Sequence, residues 1–159
     1  MFLNKKKVIL VISIFSLIFF LNFNQVKSQE LRVVDGDTIH LNGEKIRFTG
    51  IDTPELKQTC IKEGVINSCG LTAKEILIEK IADNKVECIS EGKDRYKRTL
   101  AECFVNDESL SGYLVRSGYA FAYRKYSKKF ILVEDYAKDN KIGMWSMQFE
   151  YPWDYRRNN

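Results

Sequence analysis

Residues 33–55 read VVDGDTIHLNGEKIRFTGIDTPE, and the rest of the chain is organised around this stretch. Two acidic turns, Asp35-Gly36-Asp37-Thr38 and Asp52-Thr53-Pro54-Glu55, flank two short apolar-rich runs, with Arg47 between them. Thr38–Leu41 and Lys45–Ile51 read as strands, joined at Asn42-Gly43, a strong two-residue hairpin signal. On the second strand Ile46 and Phe48 take one face, and Arg47 and Thr49 the other. Strict alternation would put Arg47 and Asp52 on opposite faces, so Gly50 is expected to carry a bulge or bend that reunites them. Pro54 ends ladder pairing. Each acidic turn alone is ordinary turn chemistry. Two of them around one arginine suggest a site for a hard cation beside a phosphate.

Outward from this stretch, Leu31–Val34 is a short strand. Leu56–Gly70 is an irregular polar connection holding Gly64, Asn67, Ser68 and two cysteines. Leu71–Ile81 is a helix by its apolar spacing, with Thr72 and Glu75 placed for a capping box. Val86–Ile89 and Leu100–Val105 are strands around a charged hairpin end, Glu91–Thr99. Ser109–Ser117 is a short helix with Gly118 as its C′ residue. Phe130–Lys141 is the last helix, apolar at Phe130, Val133 and Ala137 and closed by Gly143. Met144–Trp153 is expected to pack back as an irregular tail, and Asp154–Asn159 to fray. The fold class is α+β, mainly β: a small curled antiparallel sheet with helices against it. A barrel is favoured because closure removes exposed edges.

The chain begins differently. Lys5-Lys6-Lys7 precedes an uncharged apolar run, Val8–Leu21, and residues 1–28 read as a secretory signal peptide. The run is short for a membrane span; an uncleaved N-terminal anchor is the alternative. Residues 29–153 form one compact domain. Without its leader, which holds four lysines and no acid, the chain is close to neutral, so its overall basicity belongs to targeting. Phosphate recognition then rests on local clusters such as Arg124, Lys125, Lys128 and Lys129. The four cysteines, Cys60, Cys69, Cys88 and Cys103, favour disulfides in an exported domain. The local pairs Cys60–Cys69 and Cys88–Cys103 are preferred. Cys88 and Cys103 can face each other across one strand pair. Four reduced core thiols are the alternative, and with His40 the only histidine a zinc site fits poorly.

The motifs VVDGDTI, IRFTGIDTPE, DRYKRTLAEC, LVRSGYAFAYRKY and a helix ending in GMW stand in an order that resembles the thermonuclease family, the staphylococcal nuclease-like domains. The resemblance covers Leu31–Trp145. It implies an OB-fold barrel of five strands with three helices, one bound calcium ion, and cleavage of DNA and RNA that leaves 3′-phosphate ends. By that resemblance Asp37 and Asp52 match the calcium-ligating carboxylates, Thr53 a ligand acting through its backbone carbonyl, and Asp35 an acid behind them. Arg47 and Arg98 match two phosphate-binding arginines, and Glu55 a general base or water-orienting group. Tyr96 matches a nucleotide-contacting tyrosine; the second such tyrosine falls at Tyr123 or Tyr126. The expected substrate is single-stranded or locally opened DNA and RNA. The expected protein is a monomer without a stable protein partner, secreted or periplasmic, or membrane-anchored if the leader is retained. Three features depart from the family pattern: Lys97 where a glycine is common, the cysteine-bearing insert in Leu56–Gly70, and a short first strand. A non-catalytic oligonucleotide-binding module is the competing reading, since OB folds bind without cutting.

Overall fold

The computed structural model describes residues 29–159; the expected signal peptide or anchor, 1–28, lies outside the described residues. Strand β1 (Leu31–Val33) pairs antiparallel with β2 (Thr38–Leu41), which pairs antiparallel with β3 (Glu44–Phe48). Asn42 and Gly43 take φ of 51° and 83°, the left-handed geometry that a two-residue primed turn requires. Ile46 and Phe48 on β3 are buried while Arg47 between them is half-buried on the opposite face. Removing each of those two side chains from water contributes about 1.5–3 kcal/mol.

The long hairpin β7 (Glu87–Lys93) and β8 (Thr99–Val105) completes the sheet, in the order β1-β2-β3-β8-β7. Strand β8 runs parallel to β3, with Ile46 opposite Thr99 and Phe48 opposite Ala101. The sheet is therefore mixed, where an antiparallel one was expected. The register shifts between Ser90 and Gly92, a bulge that bends the outer strand. No ladder joins β1 to β7 among the described residues, so the expected barrel is a curled, OB-like half-barrel. The curl still brings its two ends within reach of one side chain. Gln29 Nε2 donates to the Val86 carbonyl (2.7 Å), and Val86 N–H donates to Gln29 Oε1 (2.9 Å).

Four α-helices surround this sheet among the described residues, where three were expected: α1 (Cys69–Ile81), α2 (Leu110–Arg116), α3 (Ile131–Asp139) and α4 (Pro152–Asn158). Helix α1 starts two residues before the expected Leu71. Its capping box does not form: the Thr72 hydroxyl donates to the Ser68 carbonyl (3.1 Å) instead. The two-residue strand β9 (Glu108–Ser109) pairs with β8, and Ser109 caps α2, its Oγ accepting from Gly112 N–H (3.1 Å). Leu77 of α1 and Leu110 and Leu114 of α2 meet Ile39, Ile46, Phe48 and Ala101 in the main core.

The connection expected to be irregular holds a small hairpin, β5 (Cys60–Lys62) and β6 (Val65–Asn67). Its turn residues Glu63 and Gly64 both have positive φ, 52° and 80°. The turn geometry of a hairpin is thus present in a sequence lacking the usual Asn-Gly. The preferred cysteine pairs are both formed: Cys60–Cys69 ties this hairpin to α1, and Cys88–Cys103 joins register partners on β7 and β8. Each closed loop contributes roughly 2–3 kcal/mol in chain-entropy accounts.

The C-terminal segment is also more ordered than expected. Phe121, on the short strand β10 (Phe121–Ala122), is fully buried at the centre of a second core with Trp145, Phe149, Tyr151 and Trp153 around it. Of residues 154–159, expected to fray, 154–158 continue α4 and Asn159 is its C-cap. Pro152 at its first turn pre-sets helical φ, and Asp154 and Arg157 suit the dipole and pair with each other at 2.8 Å. Among the described residues no helix is long and apolar enough to cross a membrane.

Candidate active site

The candidate site is built around the β2–β3 hairpin and the two acidic turns that flank it. Gly50 bends the chain at φ 74°, and β4 (Ile51–Asp52) then pairs with β10, Asp52 opposite Phe121. This is the predicted bend, and it returns Asp52 to the side of Arg47. One Arg47 Nη donates to Asp37 Oδ1, and the other to Asp52 Oδ1 at 2.9 Å. The guanidinium thus bridges two carboxylates that are 3% and 0% exposed. Thr38 Oγ1 also donates to Asp37 Oδ1 (3.0 Å), and the Thr53 backbone N–H to Asp37 Oδ2 (3.3 Å). Gly36 lets the first acidic turn lie against Thr53 and α1. A Cβ there would stand 2.9 Å from Thr53 Oγ1 and 3.1 Å from Ala73 Cβ.

Arg47 was expected to grip phosphate, and here its fork is first the counter-ion of the aspartates. Burial works against its charge, but Asp37 and Asp52 outweigh burial and hold its pKa above the ordinary arginine value. Asp52 is pushed up, chiefly by burial and then by Asp37, against the pull of Arg156 and Arg47. Two buried carboxylates side by side repel, so this pair demands cations.

Asp35 lies behind the pair, its Oδ1 accepting from Asp37 N–H (3.1 Å). Burial and then the Asp37 charge push its pKa from 3.8 to about 6. The folded state therefore binds the Asp35 proton more tightly than the unfolded chain does. That contribution is fully present below pH 3.8 and is lost as pH rises through about 6. In chelator, Asp35→Asn should match wild type in urea unfolding near pH 3.5. By pH 7.5 it should be the more stable by on the order of 1 kcal/mol, discounted for partial exposure. A pH-independent difference would remove this account of Asp35.

Glu55 follows Pro54 on the second acidic turn. Its N–H donates to Gln58 Oε1 (3.2 Å), and its carbonyl accepts from Gln58 N–H (2.7 Å). Gln58, fully buried, reaches on to the Glu150 carbonyl (2.6 Å) and so ties the turn to the C-terminal tail. The Glu55 carboxylate is 43% exposed and meets Arg156 Nη1 at 2.8 Å. Arg156 also donates to both oxygens of Asp52, at 2.6 Å from Nη2 and 3.1 Å from Nη1. The sequence reading missed this residue; the Tyr151-Pro152 start of α4 was the available signal.

Arg98 is not in direct contact with the acids. Arg47 sits opposite Leu100 in the parallel pair, which places Arg98 two residues back on the same sheet face. Its Nε donates to Asp94 Oδ2 (2.7 Å) and its N–H to Asp94 Oδ1 (2.9 Å). Burial raises the Asp94 pKa, but these hydrogen bonds outweigh it and hold the carboxyl below the usual range. Asp94 thus aims Arg98, whose Nη groups make no protein hydrogen bond among the described residues. Lys97, which replaces the common glycine, keeps the left-handed turn (φ 65°). A non-glycine residue there costs about 1–2 kcal/mol. Tyr96 is 65% exposed on this hairpin, with the Arg95 and Arg98 guanidinium groups 4.7 and 5.6 Å from its ring centroid.

Tyr123 lies beyond β10, stacked on Trp153 (5.8 Å, 3°) and edge-on to Tyr126 (4.9 Å). The expected basic cluster divides. Arg124 is bound to buried Glu134 (2.6 Å), and Lys129 is paired with Glu102. Lys125 and Lys128 make no ion pair among the described residues. Glu134 is buried, and it also accepts from Ala122 N–H (2.8 Å), fixing β10.

The donors suit a hard divalent ion. Asp37, Asp52 and the Thr53 carbonyl are oxygen ligands, and Glu55 adds another nearby. Among the described residues no group of three or more His, Cys, Asp and Glu forms a ready cage. An ion here would keep much of its water.

The curled OB-like sheet thus gathers buried acids and arginines at one face. The model of the staphylococcal nuclease homologue family matches residues 45–147, and the chain belongs to that family. It is 31% identical over 136 residues to a thermonuclease of Staphylococcus hyicus, covering 79% of each chain. It is 33% identical over 132 residues to the endonuclease YncB of Bacillus subtilis, covering 72% of this chain and 59% of that one. A succinoglycan biosynthesis protein of Rhizobium meliloti is 32% identical over 123 residues, 75% of this chain; the match spans 64% of that relative's length. The chain is thus related to nuclease-like hydrolases.

Proposed function

We propose that the chain is a calcium-dependent phosphodiesterase that hydrolyses DNA and RNA, breaking the 5′-oxygen–phosphorus bond to leave 3′-phosphate ends. The bridge from Arg47 to Asp37 and Asp52 carries this reading. It sets two buried carboxylates and one guanidinium side by side on one face of the sheet. Names such as thermonuclease and endonuclease among the relatives point the same way. Asp37, Asp52 and the Thr53 carbonyl would hold one calcium ion, which would neutralise phosphate charge and acidify a bound water.

The remaining work falls to the chain. Arg98, aimed by Asp94, and the remaining N–H groups of Arg47 bind phosphate oxygens. They stabilise the charge that grows as phosphorus becomes five-coordinate. Glu55, held by Gln58 through its backbone, orients the attacking water and accepts its proton. Tyr96 and Tyr123 offer ring faces to unpaired bases, so the substrate is single-stranded or locally opened. The protein acts as an exported monomer.

A binding module without catalysis is the weaker alternative. Burying two like charges under one arginine is costly, and simple strand binding does not need it. Denatured DNA incubated with the purified protein should be cut with calcium and left intact with chelator. Arg98→Ala and Glu55→Gln should each lower kcat by about 10²–10³-fold without unfolding. Uncut DNA in calcium, or near-normal rates in both variants, would overturn the assignment.

A further inference from the structure

Arg156 holds the acids in a way that substrate binding does not require. It reaches the site from the end of α4 and takes both oxygens of Asp52 and one of Glu55. Arg47 takes the remaining approach to Asp52 Oδ1. Both oxygens of a fully buried carboxylate are thus committed to protein cations. Asp37, Asp52 and Glu55 carry three negative charges against the two of Arg47 and Arg156. Withdrawing Arg156 uncovers Asp52 and Glu55, two carboxylates that a divalent ion would neutralise.

The two arginines differ in how firmly they are held. Arg47 is 18% exposed and fixed within the sheet, whereas Arg156 is 39% exposed on a seven-residue helix at the chain end. That helix rests on stacked rings: Trp153 lies on Tyr151 (4.6 Å, 10°) and on Tyr123. A partly exposed guanidinium regains its solvation from water on leaving, and the incoming cation keeps buried Asp52 compensated.

We propose that Arg156 is an internal competitor for the divalent cation: it occupies Asp52 and Glu55 in the cation-free protein and leaves them when the cation binds. This rests on the calcium reading above. Metal binding is then linked to release of α4, and the linkage is reciprocal. Whatever restrains α4 weakens calcium, and whatever frees it strengthens calcium.

The test is a calcium titration of wild type and Arg156→Gln by calorimetry, with tryptophan fluorescence followed in parallel. Arg156→Gln should bind calcium at least about tenfold more tightly. In wild type, saturating calcium should change the fluorescence, and Trp153→Phe should abolish that change. Equal or weaker binding by Arg156→Gln overturns the competition while leaving the calcium reading in place. A silent Trp153 in calcium-loaded wild type does the same. No calcium binding by either protein overturns both.

Discussion

Arg47→Met should lower phosphodiesterase turnover by about 10²–10³-fold and destabilise the cation-free protein by about 3 kcal/mol at neutral pH. The variant keeps the aliphatic stem that packs beside β2 and removes only the charged fork. Asp37 then retains its bonds from Thr38 and the Thr53 N–H, and Asp52 those from Arg156, but the charge between them is gone. Two buried carboxylates face each other with one guanidinium instead of two. The deficit has a pH signature. Asp52 already holds its proton more tightly than usual, chiefly because it is buried, then because Asp37 is near. Without Arg47 it holds the proton more tightly still. Lowering the pH protonates Asp52 and erases the repulsion, so wild type and variant should converge in acid and diverge above neutrality. Urea unfolding in chelator at several pH values measures this. A deficit that is absent at pH 8, or the same at every pH, would mean Arg47 is not the counter-ion of the pair.

That network was partly legible before any coordinates. The turn residues Asn42-Gly43 and the bend at Gly50 are local chemistry, and both lie where sequence places them. Pairing Cys88 with Cys103 follows from counting back from one hairpin turn, which is again local. Failures came wherever distance along the chain mattered. The parallel pairing of β3 with β8 depends on where a hairpin some fifty residues away lands, and no periodicity encodes that. Glu134 sits at a helical position that reads as polar surface, and only the docking of β10 explains its burial. Arg156 is one of two adjacent arginines at the chain end. Its helix was read as a frayed tail although Pro152 suits a helix start, and its partners lie about a hundred residues earlier. Arg47 shows the same limit within the site. Sequence marked it as functional, yet which charge it meets first, acid or phosphate, is a matter of three-dimensional crowding.

Gly70→Ala is the second large effect, and it acts through Glu55 without touching its side chain. Helix α1 opens against the Glu55 turn so closely that a Cβ on Gly70 would stand 1.7 Å from the Glu55 carbonyl oxygen and 2.9 Å from Leu56 Cα. Both are backbone atoms, so no side-chain rotation relieves the clash. Either the first turn of α1 or the Glu55–Leu56 turn must move. Each is pinned: Gly70 N–H donates to the Gln58 carbonyl (3.1 Å), Gln58 N–H to the Glu55 carbonyl, and Cys69 is bonded to Cys60. The strain therefore reaches the turn that carries the proposed water-orienting carboxylate. A displacement of about 1 Å at such a group costs about 10²-fold in rate, and overpacking of this kind costs about 1–3 kcal/mol in stability. Gly64 on the same connection is the control. It has positive φ but open space around it, so Gly64→Ala should lose about 1 kcal/mol or slightly more by conformation alone and leave kcat unchanged. Turnover and urea unfolding of the two variants separate the cases. If Gly70→Ala keeps wild-type kcat while losing stability, Glu55 does not depend on the position of this turn, and its place in the proposed chemistry falls.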